Sequence, residues 1–282
     1  MKPVLSIIIP TKNRYPYLES CLKAISLKYN RSDVEIIITD NSSVKEKIES
    51  LSLFSNISYF YTSEPISQVE NFEYAMSKVS GQYVTMIGDD DGISNLLIEV
   101  VLFMKRNDIN ALNSPFAIYY WPDTISKNKI NNFSGKMYID TYSFKITNID
   151  ALVERKKCLM TGGTSLCNLP RMYYGIIKKD ILNKVKLKTG SYFPGPSPDM
   201  ANAFSISEYA TNFVKFDAPL FIAGNSAKSA AGLGLAGKHN GIIEGHPLLP
   251  KDCSIYWNKE IPKFWSGPTI WAESVLQSIN RS

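Results

Sequence analysis

Through the first hundred positions, short runs of large aliphatic residues alternate with helical spacings. Residues 4–9 (VLSIII) and 34–39 (VEIIIT) are almost unbroken Val/Leu/Ile runs, the pattern of strands covered on both faces. Between them Leu18, Cys21, Leu22 and Ile25 recur at spacings of three and four, which predicts one apolar face of a helix. Residues 57–61 predict a third strand. Ser67 and Glu70 have capping-box spacing ahead of a face made by Val69, Phe72, Met76 and Val79, and Gly81 closes that helix. Residues 83–87 (YVTMI) predict a fourth strand, after which Ser94 is expected to cap another helix. This βαβ rhythm predicts an α/β fold with a Rossmann-like, mostly parallel central sheet flanked by helices.

After residue 110 the rhythm breaks. Residues 116–121 (FAIYYW) predict a strand, and the polar, Lys/Asn-rich stretch 123–136 a loop or hairpin. Helices are expected over 149–159, 179–185, 200–209 and 269–279, and a strand over 172–177. Residues 190–198, with three prolines and two glycines, predict a structured loop. Residues 214–223 look like one strand interrupted at Pro219, and 224–245, with six glycines, like a mobile loop.

Composition narrows the class. A chain of 282 residues, 44% hydrophobic and 20% charged, belongs to one large domain or two intimate ones. Four cysteines without a CxxC pair do not make a disulfide scaffold, which points to a reducing, cytoplasmic setting. Two histidines argue against a His-rich zinc site. No secretory leader is expected, and the most apolar run, residues 96–104, is interrupted by Glu99, whereas a bilayer span needs about 20 residues. The net charge of +5 is unevenly spread. Residues 1–100 hold nine Lys/Arg against thirteen Asp/Glu, and residues 124–188 hold thirteen against four.

Three of the four strand ends carry polar clusters: Thr11/Asn13/Arg14, Asp40/Asn41/Ser42 and Asp89/Asp90/Asp91. Ligands of open parallel sheets bind at these carboxyl ends. Asp-Asn-Ser and Asn-Arg are ordinary turn and helix-entry chemistry. Three successive carboxylates with no Lys or Arg within ten residues are not, and their hard oxygens suit Mg²⁺ or Mn²⁺ completed by substrate phosphates.

The ordered set VLSIIIPTKNR, VEIIITDNSS, VENFEYAMSKVSGQYV and MIGDDD, spanning residues 3–105, resembles the nucleotide-binding half of family-2 glycosyltransferases of the GT-A fold. The resemblance implies a nucleotide-sugar-binding half over 1–110 and an acceptor-binding half over 111–282 on one continuous sheet. It implies that Pro10, Thr11, Asn13, Arg14 and Asp40 hold the nucleotide, with Asp40 accepting the ring N–H of uracil or thymine. It places Asn71 beside the nucleotide, Asp89 or Asp90 toward the ribose, and Asp91 on a Mn²⁺ or Mg²⁺ ion that bridges the donor's phosphates. His239 is a further candidate metal ligand. Ser226, Lys228 and Ser229 are candidate phosphate contacts.

Displacing a nucleoside diphosphate also requires a base for the acceptor hydroxyl. In inverting members of the family this is an Asp or Glu heading a late helix, a description that Asp199 matches in Pro196-Ser197-Pro198-Asp199-Met200; Asp217 and Glu208 match less well. The implied activity is inverting transfer from a UDP- or dTDP-sugar to a hydroxyl of a glycan or lipid-linked acceptor, in bacterial surface-polysaccharide assembly such as O-antigen or capsule. The basic middle would then face lipid-linked phosphates or the inner face of the cytoplasmic membrane, giving peripheral contact. A nucleic-acid-binding module fits poorly, because the lysines of 124–188 are not interleaved with aromatics. A metal-dependent nucleotidyltransferase fits poorly too, because PTKNRYPYLE is not a glycine-rich basic loop.

Overall fold

The computed structural model describes residues 2–125, 133–236, 240–246 and 248–281. In chain order the elements are β1 (Leu5–Thr11), α1 (Tyr15–Tyr29), β2 (Val34–Asp40), β3 (Ile57–Tyr61), α2 (Gln68–Lys78), β4 (Tyr83–Met86), β5 (Gly92–Ile93) and α3 (Leu97–Arg106). There follow β6 (Ala111–Asn113), β7 (Phe116–Tyr120), β8 (Met137–Tyr138), β9 (Ile146–Ile149), α4 (Ala151–Met160), β10 (Gly175–Lys178) and α5 (Lys179–Thr189). The last are α6 (Pro198–Ile206), β11 (Phe213–Phe216), β12 (Phe221–Asn225), α7 (Ala230–Leu235) and α8 (Gly267–Arg281).

Eight strands form the central sheet in the order β3-β2-β1-β4-β10-β6-β11-β9. β3, β2, β1 and β4 are parallel, β10 runs against both β4 and β6, β11 is parallel to β6, and β9 is antiparallel at the edge. This is an α/β fold on a mostly parallel central sheet, as the βαβ rhythm predicts. The unbroken aliphatic runs have the expected reason. Ile7, Ile9, Ile36 and Ile38 enter the core on one face, while Ile8 and Ile37 enter the core on the other. α1 buries Leu18, Cys21, Leu22 and Ile25 against the first core, and α2 buries Phe72 and Met76 against the second. The Ser67–Glu70 box is present in full: the Ser67 hydroxyl accepts the Glu70 N–H, and the Glu70 carboxylate accepts the Ser67 N–H.

Four expectations are corrected. Residues 214–223 are not one strand. Pro219 lies at a corner between β11 in the central sheet and β12 in a second sheet ordered β5-β12-β7-β8. The glycine-rich stretch after Gly224 is not only loop, since Ser229 caps α7 through the Gly232 N–H. Ser94 does not cap α3. Its N–H bonds the Leu220 carbonyl, and the helix starts at Leu97 without a side-chain cap. The two short strands β6 and β9 were not expected at all, because three or four residues carry too little periodicity to register.

A small third core joins α4, α6 and α8 through Cys158, Met200, Phe204 and Val275, and a fourth surrounds Trp257 and Trp265. Among the described residues, no helix is long and apolar enough to cross a membrane.

Candidate active site

Parallel strands bring their carboxyl ends to one edge, and the three polar clusters meet there. Thr11 and Asp40 are register partners at the ends of β1 and β2, and β4 leads through Ile87 and Gly88 into the acidic turn. The Thr11 hydroxyl donates to Asp89 Oδ2 at 2.5 Å. Arg14 places one nitrogen, Nη2, 3.0 Å from Asp89 Oδ1 and 2.6 Å from Asp90 Oδ1. The same nitrogen lies 3.0 Å from Ser226 Oγ. So Arg14, implied as a nucleotide contact, faces the acidic turn.

Asn13 adopts a left-handed backbone (φ 57°) and is locked there from both directions. Its N–H donates to Ser42 Oγ at 2.7 Å, and its Oδ1 accepts the Ser43 N–H at 2.8 Å. Pro10 pairs with Thr39 inside the sheet, and the buried Asn71 donates to the Thr39 carbonyl from α2.

Asp40 is fully buried. Its Oδ2 accepts the Tyr15 and Tyr59 hydroxyls, each at 2.6 Å, and its Oδ1 accepts the Ser42 N–H at 2.8 Å. A carboxylate offers about four acceptor positions, so one remains on Oδ1. Burial, then the bond to Asp40, raises the pKa of both tyrosines.

The acidic turn is held by distant chain. Asp91 Oδ1 accepts the Gly224 N–H and the Tyr174 hydroxyl, both at 2.7 Å, and its Oδ2 accepts the Gly88 N–H at 2.5 Å. Asp90 Oδ2 accepts the Ser226 N–H at 3.1 Å, and the Asp90 carbonyl accepts the Trp121 indole N–H at 2.9 Å. All three carboxylates are buried. Burial pushes Asp89 and Asp91 up to about 7; Arg14 opposes the rise at Asp89, and neighbouring Asp90 adds to it at both. Arg14 stays protonated, because Asp89 and Asp90 outweigh the burial that disfavours its charge.

A hard divalent ion fits this donor set. Arg14 reaches two of the three buried carboxylates, so one guanidinium stands against three acids, and these supply hard oxygen donors. The oxygens suited to it are Asp89 Oδ1 and Asp90 Oδ1, whose shared partner is a side-chain cation. Asp91, the ligand implied by the resemblance, has both oxygens bound to groups fixed in the fold. Among the described residues there is no cage of three or more Asp, Glu, His or Cys, and an ion completed by donor phosphates needs none. His239 lies outside the described residues.

Asp199 stands in the first turn of α6, behind Pro198, and is not the cap, which is Ser197. The Ser197 N–H is anchored on Ser274 Oγ of α8 at 2.8 Å. Burial raises the Asp199 carboxyl to about 6, against the pull of Arg171. The Tyr173 hydroxyl reaches Asp91 Oδ2 at 3.4 Å, and burial, then the charges of Asp91 and Asp199, raise its pKa. The weaker candidates are used elsewhere: Asp217 accepts from Ser143, and Glu208 faces Arg155 at 3.9 Å. Ser229 serves as a helix cap. The sequence reading missed Tyr15, Tyr59, Arg171, Tyr173, Tyr174 and Gly224. Only the paired tyrosines Tyr173 and Tyr174, inside the predicted strand over 172–177, could have drawn notice, because the others act through contacts across the chain.

The family model described as glycosyl transferase family 2 matches residues 6–156, and the chain belongs to this family. It is 34% identical over 114 residues to a GalNAc(5)-diNAcBac-PP-undecaprenol beta-1,3-glucosyltransferase of Campylobacter jejuni, covering 38% of this chain and 35% of that one. It is 34% identical over 98 residues to abequosyltransferase RfbV of Salmonella typhimurium, covering 32% of this chain and 29% of the other. The chain thus matches only about a third of either relative's length. Among solved structures it resembles S. aureus TarS 1–349 in complex with UDP-GlcNAc, with a TM-score of 0.55 and 16% identity, over 79% of this chain and 58% of that one. Glycosyltransferases of this fold commonly use a divalent metal ion.

Proposed function

We propose that this chain transfers a sugar from a UDP- or dTDP-sugar to a hydroxyl of a glycan or lipid-linked acceptor, with inversion at the anomeric carbon. The observation that carries the reading is the meeting of Thr11, Arg14, Asp40 and Asp89–Asp91 at one end of the parallel strands. Residues 1–110 form the donor half and 111–282 the acceptor half.

In this reading the remaining acceptor position on Asp40 Oδ1 takes the N3–H of uracil or thymine, while Tyr15 and Tyr59 fix the carboxylate. Asp89 and Asp90 would hold a Mn²⁺ or Mg²⁺ ion, which supplies Lewis-acid stabilisation to the departing diphosphate. Asp199 accepts the proton of the attacking hydroxyl. Its raised pKa of about 6 brings it nearer to neutrality than an ordinary carboxylate, and so makes it a stronger base. The basic excess of 124–188 favours an acceptor that carries phosphates, and with it peripheral contact at the inner face of the cytoplasmic membrane. The Campylobacter jejuni relative, whose name carries a PP-undecaprenol acceptor, points the same way.

The test is a panel of nucleotide sugars assayed with Mn²⁺ or with EDTA, reading the released nucleotide and the anomeric configuration of the product. Release of UDP or dTDP with inversion supports the proposal. Release of pyrophosphate would make the protein a nucleotidyltransferase instead.

A further inference from the structure

Arg14 uses its guanidinium in an unusual way. A guanidinium committed to carboxylates normally presents two parallel N–H groups as a fork. Here a single nitrogen, Nη2, serves Asp89 Oδ1, Asp90 Oδ1 and Ser226 Oγ. Its two hydrogens are shared among three acceptors, and the buried Nε has no hydrogen-bond partner among the described residues. The contact neutralises charge without the geometry of a permanent clamp.

The other oxygens of the same carboxylates are engaged by fixed groups, the Thr11 hydroxyl on Asp89 Oδ2 and the Ser226 N–H on Asp90 Oδ2. Arg14 therefore covers the two oxygens that would otherwise face one another with their charges uncompensated. Its backbone is anchored by the locked Asn13 and by α1, which begins at the next residue, so a change of partner falls to the side chain alone. The Tyr17 ring, 5.3 Å from the guanidinium carbon, gives that side chain an aromatic face to turn on.

We propose that Arg14 is a resident counter-ion that yields Asp89 Oδ1 and Asp90 Oδ1 to the divalent cation and turns its unused N–H edge to the diphosphate of the donor. This rests on the donor reading above. One residue then acts in two opposed ways: it competes with the metal and it assists the nucleotide.

The experiment titrates Mn²⁺ alone into the wild-type protein, Arg14→Gln and Arg14→Lys, following free Mn²⁺ by electron paramagnetic resonance, and then titrates UDP at saturating Mn²⁺ by calorimetry. Loss of one charge-assisted contact corresponds to about tenfold or more in affinity. Arg14→Gln is expected to bind Mn²⁺ about tenfold tighter without nucleotide and UDP about tenfold weaker with it, and Arg14→Lys to fall between. A purely structural role would weaken both ligands, and weakening or constancy of both overturns the proposal. If Arg14→Gln does not fold, as judged by circular dichroism, Arg14→Lys decides by the same opposite signs. Failure of UDP, and of dTDP titrated in the same way, to bind the wild type with Mn²⁺ would defeat the donor reading and the diphosphate contact. The Mn²⁺ titration would still decide the counter-ion role.

Discussion

Gly224 passes so close to Asp90 that a Cβ on it would stand 1.8 Å from the Asp90 carbonyl oxygen. Its N–H also holds Asp91 Oδ1 at 2.7 Å. Both contacts need β12 at its present distance from the acidic turn, and only a residue without a side chain allows that. Gly224→Ala is expected to cost about 1–3 kcal/mol or more through overpacking. Thermal unfolding and UDP titration should show a lower Tm together with weaker nucleotide binding. Unchanged binding in a folded variant would mean that β12 does not support the site.

Asp199→Asn removes the proposed base while keeping shape and helix position. Turnover is expected to fall by about 10²–10⁴ with donor affinity retained. In the wild type the rate should decline as pH drops through about 6, because the carboxylate of Asp199 must be ionised to accept a proton. A wild-type rate that stays flat down to pH 5, or normal turnover by the Asn variant, removes Asp199 from that role.

Asp40 should discriminate among bases. Uracil and thymine carry a ring N3–H, whereas cytosine presents an acceptor at that position. Asp40→Asn is thus expected to weaken UDP and dTDP about tenfold or more while changing CDP little. Tyr59→Phe should act in the same direction more mildly, by freeing the carboxylate that its hydroxyl fixes. Equal losses for all three nucleotides would assign Asp40 to the fold rather than to the base.

The capping box of α2 offers a stability control remote from charge chemistry. Ser67→Ala removes an acceptor from the Glu70 N–H and should lower stability by about 1 kcal/mol in denaturant unfolding, with the slope unchanged. No change would mean that solvent replaces the cap without loss.

The first hundred residues were legible because their signals are local. The runs VLSIII and VEIIIT, the Ser67–Glu70 spacing and the triple Asp each declare themselves within a few residues. What escaped depends on partners far along the chain. Nothing near Arg14 shows that its charge goes to residues 89 and 90, and nothing near Gly224 shows that it meets Asp90. The corner at Pro219 was hidden for a similar reason. Residues 214–223 have one continuous apolar pattern, and only the placement of β6 and β7 shows that its two ends pair in different sheets. Asp199 could be singled out from its Pro-rich approach, but its influence on Tyr173 could not.

The acidic turn draws its backbone donors from Gly224 and Ser226, 133 and 136 residues further on. Contacts of such separation form late, since a long loop must close before they give any return. While the chain emerges from the ribosome, the parallel core of β1, β2 and β4 can assemble with its three carboxylates still mutually repelling. The turn receives these backbone donors only when β12 docks, so completion of the acidic turn is tied to completion of the fold.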